Sequence, residues 1–331
     1  MTNLLPRLIE RFFTHRLIRQ RNASPHTVAA YRDTFKLFLK FAHRRTGLSP
    51  SNLCLDAFNA DLVVAFLDDF DLERRVSPTT HNLRLTAIRA FFRYLAFEEP
   101  TYSEQIQRVL AIPGKIGSKR EVQFLVRSEI EAILAAPDRH SWVGRRDHAL
   151  LLTAVRTGMR LSELVGLDRS AVTLGAGGQV RCFGKGRKEC VTPITKLLNG
   201  TLKGWIEEPR RRNSDVLFPT VHGSRMSADA VQYLLSKYVS KAAERCPSLR
   251  AKRVSPHVLR HSAAMELLGA GVDTTVISLW LGHEFTRSTQ PYLHAHLAIK
   301  EAALAKVQPF EGATFRRFRA DDTLLSFLDK L

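Results

Sequence analysis

Cysteine is scarce in this 331-residue chain. Cys54, Cys182, Cys190 and Cys246 form no C-x-x-C pair and no Cys/His cluster with zinc-ligand spacing. Four scattered thiols point away from a disulfide scaffold and fit a reducing, cytoplasmic compartment. Long hydrophobic runs are missing too: none approaches 18 residues, so no segment reads as a bilayer-spanning helix. The opening MTNLLPRLIERFF is broken by Arg7, Glu10 and Arg11, which leaves no signal-peptide core. There is no carboxylate cluster of the kind that holds Mg²⁺, and no G-x-x-x-x-G-K-[ST] phosphate loop. Acidic residues are outnumbered 32 to 50 by basic ones, giving a net charge of +18.

That excess is spread along the chain. Residues 1–118 carry 17 basic and 11 acidic residues, and residues 119–331 carry 33 and 21. A protein basic in both halves suits a polyanion that it surrounds, and double-stranded nucleic acid fits better than a membrane surface. No separate basic amphipathic helix supports a membrane role.

The first 112 residues read as a helical bundle. Residues 4–20 place Leu5, Leu8, Ile9, Phe12 and Phe13 on one helical face. Ser24-Pro25 and Ser77-Pro78 repeat one starting device, a capping hydroxyl followed by a proline that fits the first turn. They open helices with apolar stripes through Phe35, Phe38 and Phe41, and through Leu85, Ile88, Phe91 and Phe92; residues 60–70 form a helix between them. Arg32, Lys36, Arg84, Arg89 and Arg93 fall on polar positions of this bundle, where solvated charge is the plain alternative to DNA contact. Residues 113–122, with Pro113, Gly114, Gly117 and basic residues, have the composition of a linker. Beyond it, Ser128-Glu129-Ile130-Glu131 reads as a capping box. Residues 146–156 form a strongly apolar helix that ends at Thr157-Gly158, with Arg160 just past the turn and Glu163 placed to orient it. Residues 179–183 and 189–194 alternate as two strands around Gly184-Lys185-Gly186, and residues 230–243 form an amphipathic helix.

The richest stretch runs from Ser255 to His296. Ser255 and Pro256 open a helix on which His257, Arg260 and His261 fall at i, i+3 and i+4. Gly269 and Gly271 stop it, Asp273 caps a second helix through Val276, Ile277, Trp280 and Leu281, and Gly282 closes that one ahead of His283. Pro291 opens a third helix with Tyr292 in its first turn. Taken singly, a His near a helix end caps it, an Arg finds a carboxylate, and a Tyr in a first turn is half-buried. The joint pattern is less ordinary: H-x-x-R-H, then L-G-H, then a Tyr nine residues after that His.

This pattern, with T-G-M-R-L-S-E-L around Arg160, resembles the tyrosine recombinase (phage integrase) family. The resemblance covers nearly the whole chain and is weakest past residue 306. It implies a mainly α, two-domain clamp with a small β-hairpin: a core-binding domain over residues 1–112, a linker over 113–122, a catalytic domain over 123–306 and a tail over 307–331. It implies Arg160, Lys185, His257, Arg260, His283 and Tyr292 as catalytic residues, with Glu163 and His261 behind them, no metal and no cofactor. It also implies a homo-tetramer, or a hetero-tetramer with related recombinases, on double-stranded DNA.

The chemistry suits those residues. A phenol is a weak nucleophile near neutral pH and must approach an anionic phosphodiester. Two permanently charged guanidiniums stabilise the pentavalent transition state, and an imidazole adds a hydrogen bond or moves the phenol proton. Lys185 is the candidate acid for the leaving 5′ oxygen. A 3′-phosphotyrosyl link conserves the energy of the broken bond, so rejoining needs no ATP. Transposition or integration of a mobile element is the expected role, because the C-terminal extension resembles the tails of mobile-element recombinases; the absence of an arm-binding domain before residues 1–5 argues against the large phage integrases. Chromosome-dimer resolution, a type IB topoisomerase and an inert DNA-binding regulator are the alternatives. The tail, 322–331, reads as a short helix with Leu324, Phe327, Leu328 and Leu331 on one face; such a helix is marginal alone and needs a groove.

Overall fold

The computed structural model describes residues 4–117, 122–184, 189–209 and 213–282. The chain divides into two compact units, residues 1–120 and 121–331.

The amino-terminal unit is entirely helical among its described residues. Helix α1 (Leu4–Arg11) runs into a π-helical continuation (Phe12–Gln20), so the expected helix is present but changes its winding in its second half. Helix α2 (Pro25–Thr46) starts where Ser24 Oγ accepts the Thr27 N–H at 3.2 Å. Helix α3 (Ala60–Arg74) is capped by Asn59, and α4 (Pro78–Glu98) by Ser77 in the same way as α2. Helix α5 (Ser103–Ala111) packs against α4 and closes the bundle. The core is aromatic. Phe91 lies 5.4 Å from Phe12, 5.3 Å from Phe35 and 5.9 Å from Phe92 between ring centroids, largely edge-to-face. That geometry sets positive ring edges against negative faces.

Part of the expected linker is bonded to this unit. Lys115 N–H donates to Asn82 Oδ1 and Asn82 Nδ2 donates to the Lys115 carbonyl, both at 2.8 Å. Lys115 Nζ also pairs with Asp71, whose carboxylate lies 2.8 Å from the ring of buried His81.

The second unit begins with α6 (Arg127–Ala135). Ser128 does not open this helix: Glu129 turns back to accept the Val126 N–H at 2.9 Å, and the helix has already started at Arg127. Helix α7 (Trp142–Thr157) also starts earlier than expected, because Ser141 caps it through the Gly144 N–H and its first turn, Trp142-Val143-Gly144-Arg145, precedes the continuous apolar run. It forms the buried spine of the unit. Helix α8 (Leu161–Val165) leads to a three-stranded antiparallel sheet of β1 (Val172–Thr173), β2 (Gln179–Phe183) and β3 (Glu189–Pro193) in that order. The two-residue β1 is too short to leave a pattern in the sequence. Cys182 and Cys190 face each other in register, both as free thiols, and burial pushes the Cys182 thiol up to about 12. Helices α9 (Lys196–Glu207) and α10 (Ala228–Ala242) complete the core around α7.

The last described elements are α11 (Pro256–Gly269) and α12 (Thr274–Trp280). Ser255 caps α11 and Asp273 caps α12, as their sequence positions suggested. Ile277 and Leu281 are buried as expected, but Val276 is exposed: α12 is only seven residues long and turns a narrow face inward. Lys185, His283, Tyr292, the helix expected from Pro291 and the tail lie outside the described residues.

Candidate functional site

The site is built where the turn after α7, the first turns of α11 and the end of α12 meet. Helix α7 ends at Gly158, which has φ +64°. That left-handed conformation favours glycine, and space requires it as well. A Cβ there would lie 2.6 Å from Leu281 Cδ2 and 3.2 Å from Ala263 Cβ, so the absence of a side chain lets the turn touch both α11 and the end of α12.

Arg260 crosses this junction. It is only 4 % exposed, and its two terminal nitrogens donate to the Gly158 and Leu281 carbonyls, both at 2.7 Å. A guanidinium is seldom this buried unless its donors are occupied. Arg160, at the start of α8, is half-buried. Its Nη1 donates to Glu163 Oε1 at 2.8 Å and its Nη2 to the Gly282 carbonyl at 3.1 Å. The other Glu163 oxygen accepts the Arg160 backbone N–H at 2.8 Å. Glu163 therefore orients Arg160, but with one oxygen on the side chain and one on the backbone instead of a fork on the guanidinium. The two arginines, 100 positions apart, end on consecutive carbonyls, those of Leu281 and Gly282. The next residue in the chain is His283.

His257 and His261 lie one turn apart on α11, with ring centroids 6.2 Å apart. His257 is exposed and His261 half-buried. Burial, reinforced by the nearby His257 and Arg260, pushes the His261 imidazole below the ordinary histidine range, so it is neutral near pH 7. Among the described residues, no group of three or more His, Cys, Asp or Glu side chains is arranged to hold a metal ion.

The phage integrase family model matches residues 123–298, and the model of the phage integrase amino-terminal SAM-like domain matches residues 9–99. The Sinorhizobium fredii protein named integrase/recombinase y4rC is 54 % identical over 324 residues, 98 % of this chain and 97 % of its own. The chain belongs to the phage integrase family. Tyrosine recombinase XerD of Pseudomonas aeruginosa is 31 % identical over 304 residues, covering 89 % of this chain and 94 % of its own. In structure, the XerH site-specific recombinase bound to its palindromic difH substrate superposes with a TM-score of 0.70 at 22 % identity, over 86 % of this chain and 81 % of that one. That likeness extends to the fold: a helical first unit and a mainly helical second unit with a small sheet.

For a phage integrase relative, the described part of the site is compact. Arg160, Glu163, Arg260 and His261 come together, and His257 sits on the outer edge of the same helix face. The residues expected to touch DNA in the first unit divide. Arg32, Lys36 and Arg93 are exposed, with Arg32 paired to Asp33. Arg84 and Arg89 are drawn inward. Arg84 donates to Thr34 Oγ1 at 2.9 Å and covers the Phe70 ring at 5.6 Å, and Arg89 donates to the Ile112 carbonyl.

Sequence reasoning missed the Gly158, Leu281 and Gly282 carbonyls as partners of the arginines. Backbone acceptors carry no side-chain signal; only the glycines hinted at close approach. It also missed a groove of about 1010 Å³ on the second unit, lined among others by Asp229, Tyr233, Ser236, Arg250, Arg253 and Ser255. Its residues are scattered over three elements, and in sequence they look like ordinary surface.

Proposed function

We propose that this chain is a site-specific DNA recombinase that cuts and rejoins DNA through a 3′-phosphotyrosyl intermediate. One observation carries the reading furthest: Arg160 and Arg260 are fixed on the consecutive Gly282 and Leu281 carbonyls, immediately before His283. Each terminal guanidinium nitrogen bears two N–H groups, so an arginine anchored on a carbonyl can still donate to the non-bridging oxygens of a phosphodiester.

In the proposed reaction, the Tyr292 hydroxyl oxygen attacks phosphorus and its proton passes to a base, for which His257 is the candidate. The bond to the 5′ oxygen breaks as the tyrosyl–phosphorus bond forms, and Lys185 supplies the proton to that leaving oxygen. Arg160, Arg260 and His283 hold the charge that builds on the phosphoryl group. Attack by a 5′ hydroxyl from a partner strand reverses the step and releases Tyr292. Glu163 and neutral His261 keep the arginines and α11 in place.

The first unit acts as the core-binding domain on double-stranded DNA and the second as the catalytic domain. Lys115, inside the expected linker of residues 113–122, is bonded to the first unit. The protein works in the cytoplasm as a tetramer on paired sites, of one chain or of related recombinases, and moves or integrates a mobile element. The similarity to y4rC over nearly all of both chains supports the recombinase reading.

The test is covalent capture on a nicked suicide duplex carrying the element's end sequence. The full chain should become attached to the 3′ phosphate in the presence of EDTA, and Tyr292→Phe should bind DNA with unchanged affinity and attach nothing. Attachment by the Phe variant, or strict dependence on a divalent cation, would overturn the assignment.

A further inference from the structure

The segment that enters the second unit from the linker is bonded at three successive residues. Lys252 Nζ donates to the Phe124 carbonyl at 3.0 Å, the Leu125 N–H donates to Ser262 Oγ at 2.8 Å, and the Val126 N–H donates to Glu129 Oε2 at 2.9 Å. Glu129 joins these bonds. At 1 % exposure it accepts from Lys252 Nζ at 2.7 Å through one oxygen and from Ser248 Oγ at 2.7 Å through the other. Apolar packing reinforces the junction: Val122 and Phe124 lie against the cluster of Ala264, Met265 and Leu268 from α11 with Ile277 and Leu281.

The sequence positions of these partners matter. Lys252 precedes His257 by five residues, and Ser262 directly follows His261. Both flanks of the helix face that carries His257, Arg260 and His261 are therefore tied to one short stretch, residues 124–126, next to the linker. A carboxylate this buried, bonded to the segment that leads into α11 and to the linker exit, is an expensive way to cap a nine-residue helix. A side-chain cap such as serine would satisfy α6 alone at less desolvation cost.

We propose that Glu129 and Lys252, with Ser262, form a latch that registers the first turns of α11 against the linker exit, making Glu129 a positioning residue for phosphoryl transfer. This inference rests on the recombinase reading above. A displacement of the reacting groups by as little as about 1 Å can cost on the order of a hundredfold in rate, so loosening this junction affects cleavage without touching DNA.

The experiment compares the full-length wild type with Glu129→Gln, which keeps the side-chain volume and removes the charge, and with Lys252→Met and Lys252→Arg. In the free protein, amide hydrogen exchange at residues 124–126 and 256–262 should accelerate about tenfold in Glu129→Gln and Lys252→Met, with α9 unchanged. On a saturating suicide duplex, the single-turnover rate of covalent attachment should fall about tenfold in the same two variants, with the Kd for DNA within about twofold of wild type. Lys252→Arg, which keeps the charge, should retain most of the rate. Wild-type attachment rates in Glu129→Gln and Lys252→Met, or exchange that rises equally across the whole unit, would overturn the latch. If wild type attaches to no DNA, the recombinase reading fails separately, and the exchange pattern still decides whether this pair holds α11.

Discussion

The two units bury different chemistry. Among the described residues the first unit buries Thr34, His81 and the Tyr94 hydroxyl, with no fully buried charged side chain, inside a core dominated by phenylalanine. The second buries Glu129, Arg146, Asp147, Glu163 and Arg260, with several Thr and Ser, beneath a mainly aliphatic core. Aromatic burial supplies stability without constraining any single atom's position, which suits a unit that presents a surface. Buried charge costs desolvation and is retained where directional bonds must fix a group in place. The first unit is built to be stable and the second to be exact at a few atoms.

The strongest way to break that comparison is Arg260→Ala. It removes a proposed phosphate donor and leaves the Gly158 and Leu281 carbonyls without it. Covalent attachment should fall by about 10²–10³, and thermal denaturation should show the second unit destabilised by roughly 3 kcal/mol for two charge-assisted bonds. Near-wild-type attachment would mean that Arg260 only staples the two turns. Phe91→Ala tests the other unit. It should cost about 3–5 kcal/mol, visible as an earlier calorimetric transition of the first unit, while near-UV signals from the second stay put.

A smaller effect is expected at the hinge of the site. Gly158→Ala forces a left-handed alanine toward Leu281 and should cost about 1–3 kcal/mol, with a larger loss in attachment rate than in DNA affinity. Equal losses in rate and affinity would remove Gly158 from the positioning of the arginines.

The pH response separates the units further. Burial raises the Asp71 carboxyl, but hydrogen bonds from Lys115 and His81 outweigh it and hold Asp71 below its ordinary 3.8. A carboxyl depressed in the folded state stabilises above its unfolded value, and that contribution is lost as pH falls through the lower folded value. Asp71→Asn should therefore lower stability at neutral pH and reduce the difference from wild type below about pH 3.8 in acid titrations followed by circular dichroism. The smallest effect concerns salt. Replacing Arg32, Lys36 and Arg93 together should flatten the log–log salt dependence of DNA binding by about 0.9 for each phosphate that the variant no longer neutralises. Arg84→Ala should instead lower the melting temperature, because Arg84 bonds within the unit.

Local signals were the legible ones. Ser24, Ser77, Ser255 and Asp273 were readable as caps because a cap and its N–H partner lie within three residues. The aromatic stripes of α2 and α4 were readable because their period is helical. Ser128 misled because the chain offered a nearby alternative: Glu129, reaching back to Val126, starts α6 without it. Arg84 and Arg89 looked like part of a basic face, yet whether a side chain points to solvent depends on Thr34, Phe70 and Ile112, which belong to other segments.

By itself the sequence determined the family and the mainly helical class, and the spacings of Arg160, the H-x-x-R-H stretch, His283 and Tyr292 singled out the residues proposed to meet a phosphate. It also determined the net charge of +18. Tertiary structure alone decided that Arg260 is buried on the Gly158 and Leu281 carbonyls, that Arg160 reaches Gly282, and that Glu129 pairs with Lys252. Those bonds join residues from 21 to 123 positions apart, as the Leu281 and Lys252 contacts show. Most of them end on backbone atoms that every residue possesses, so no side-chain pattern could announce them before the chain folded.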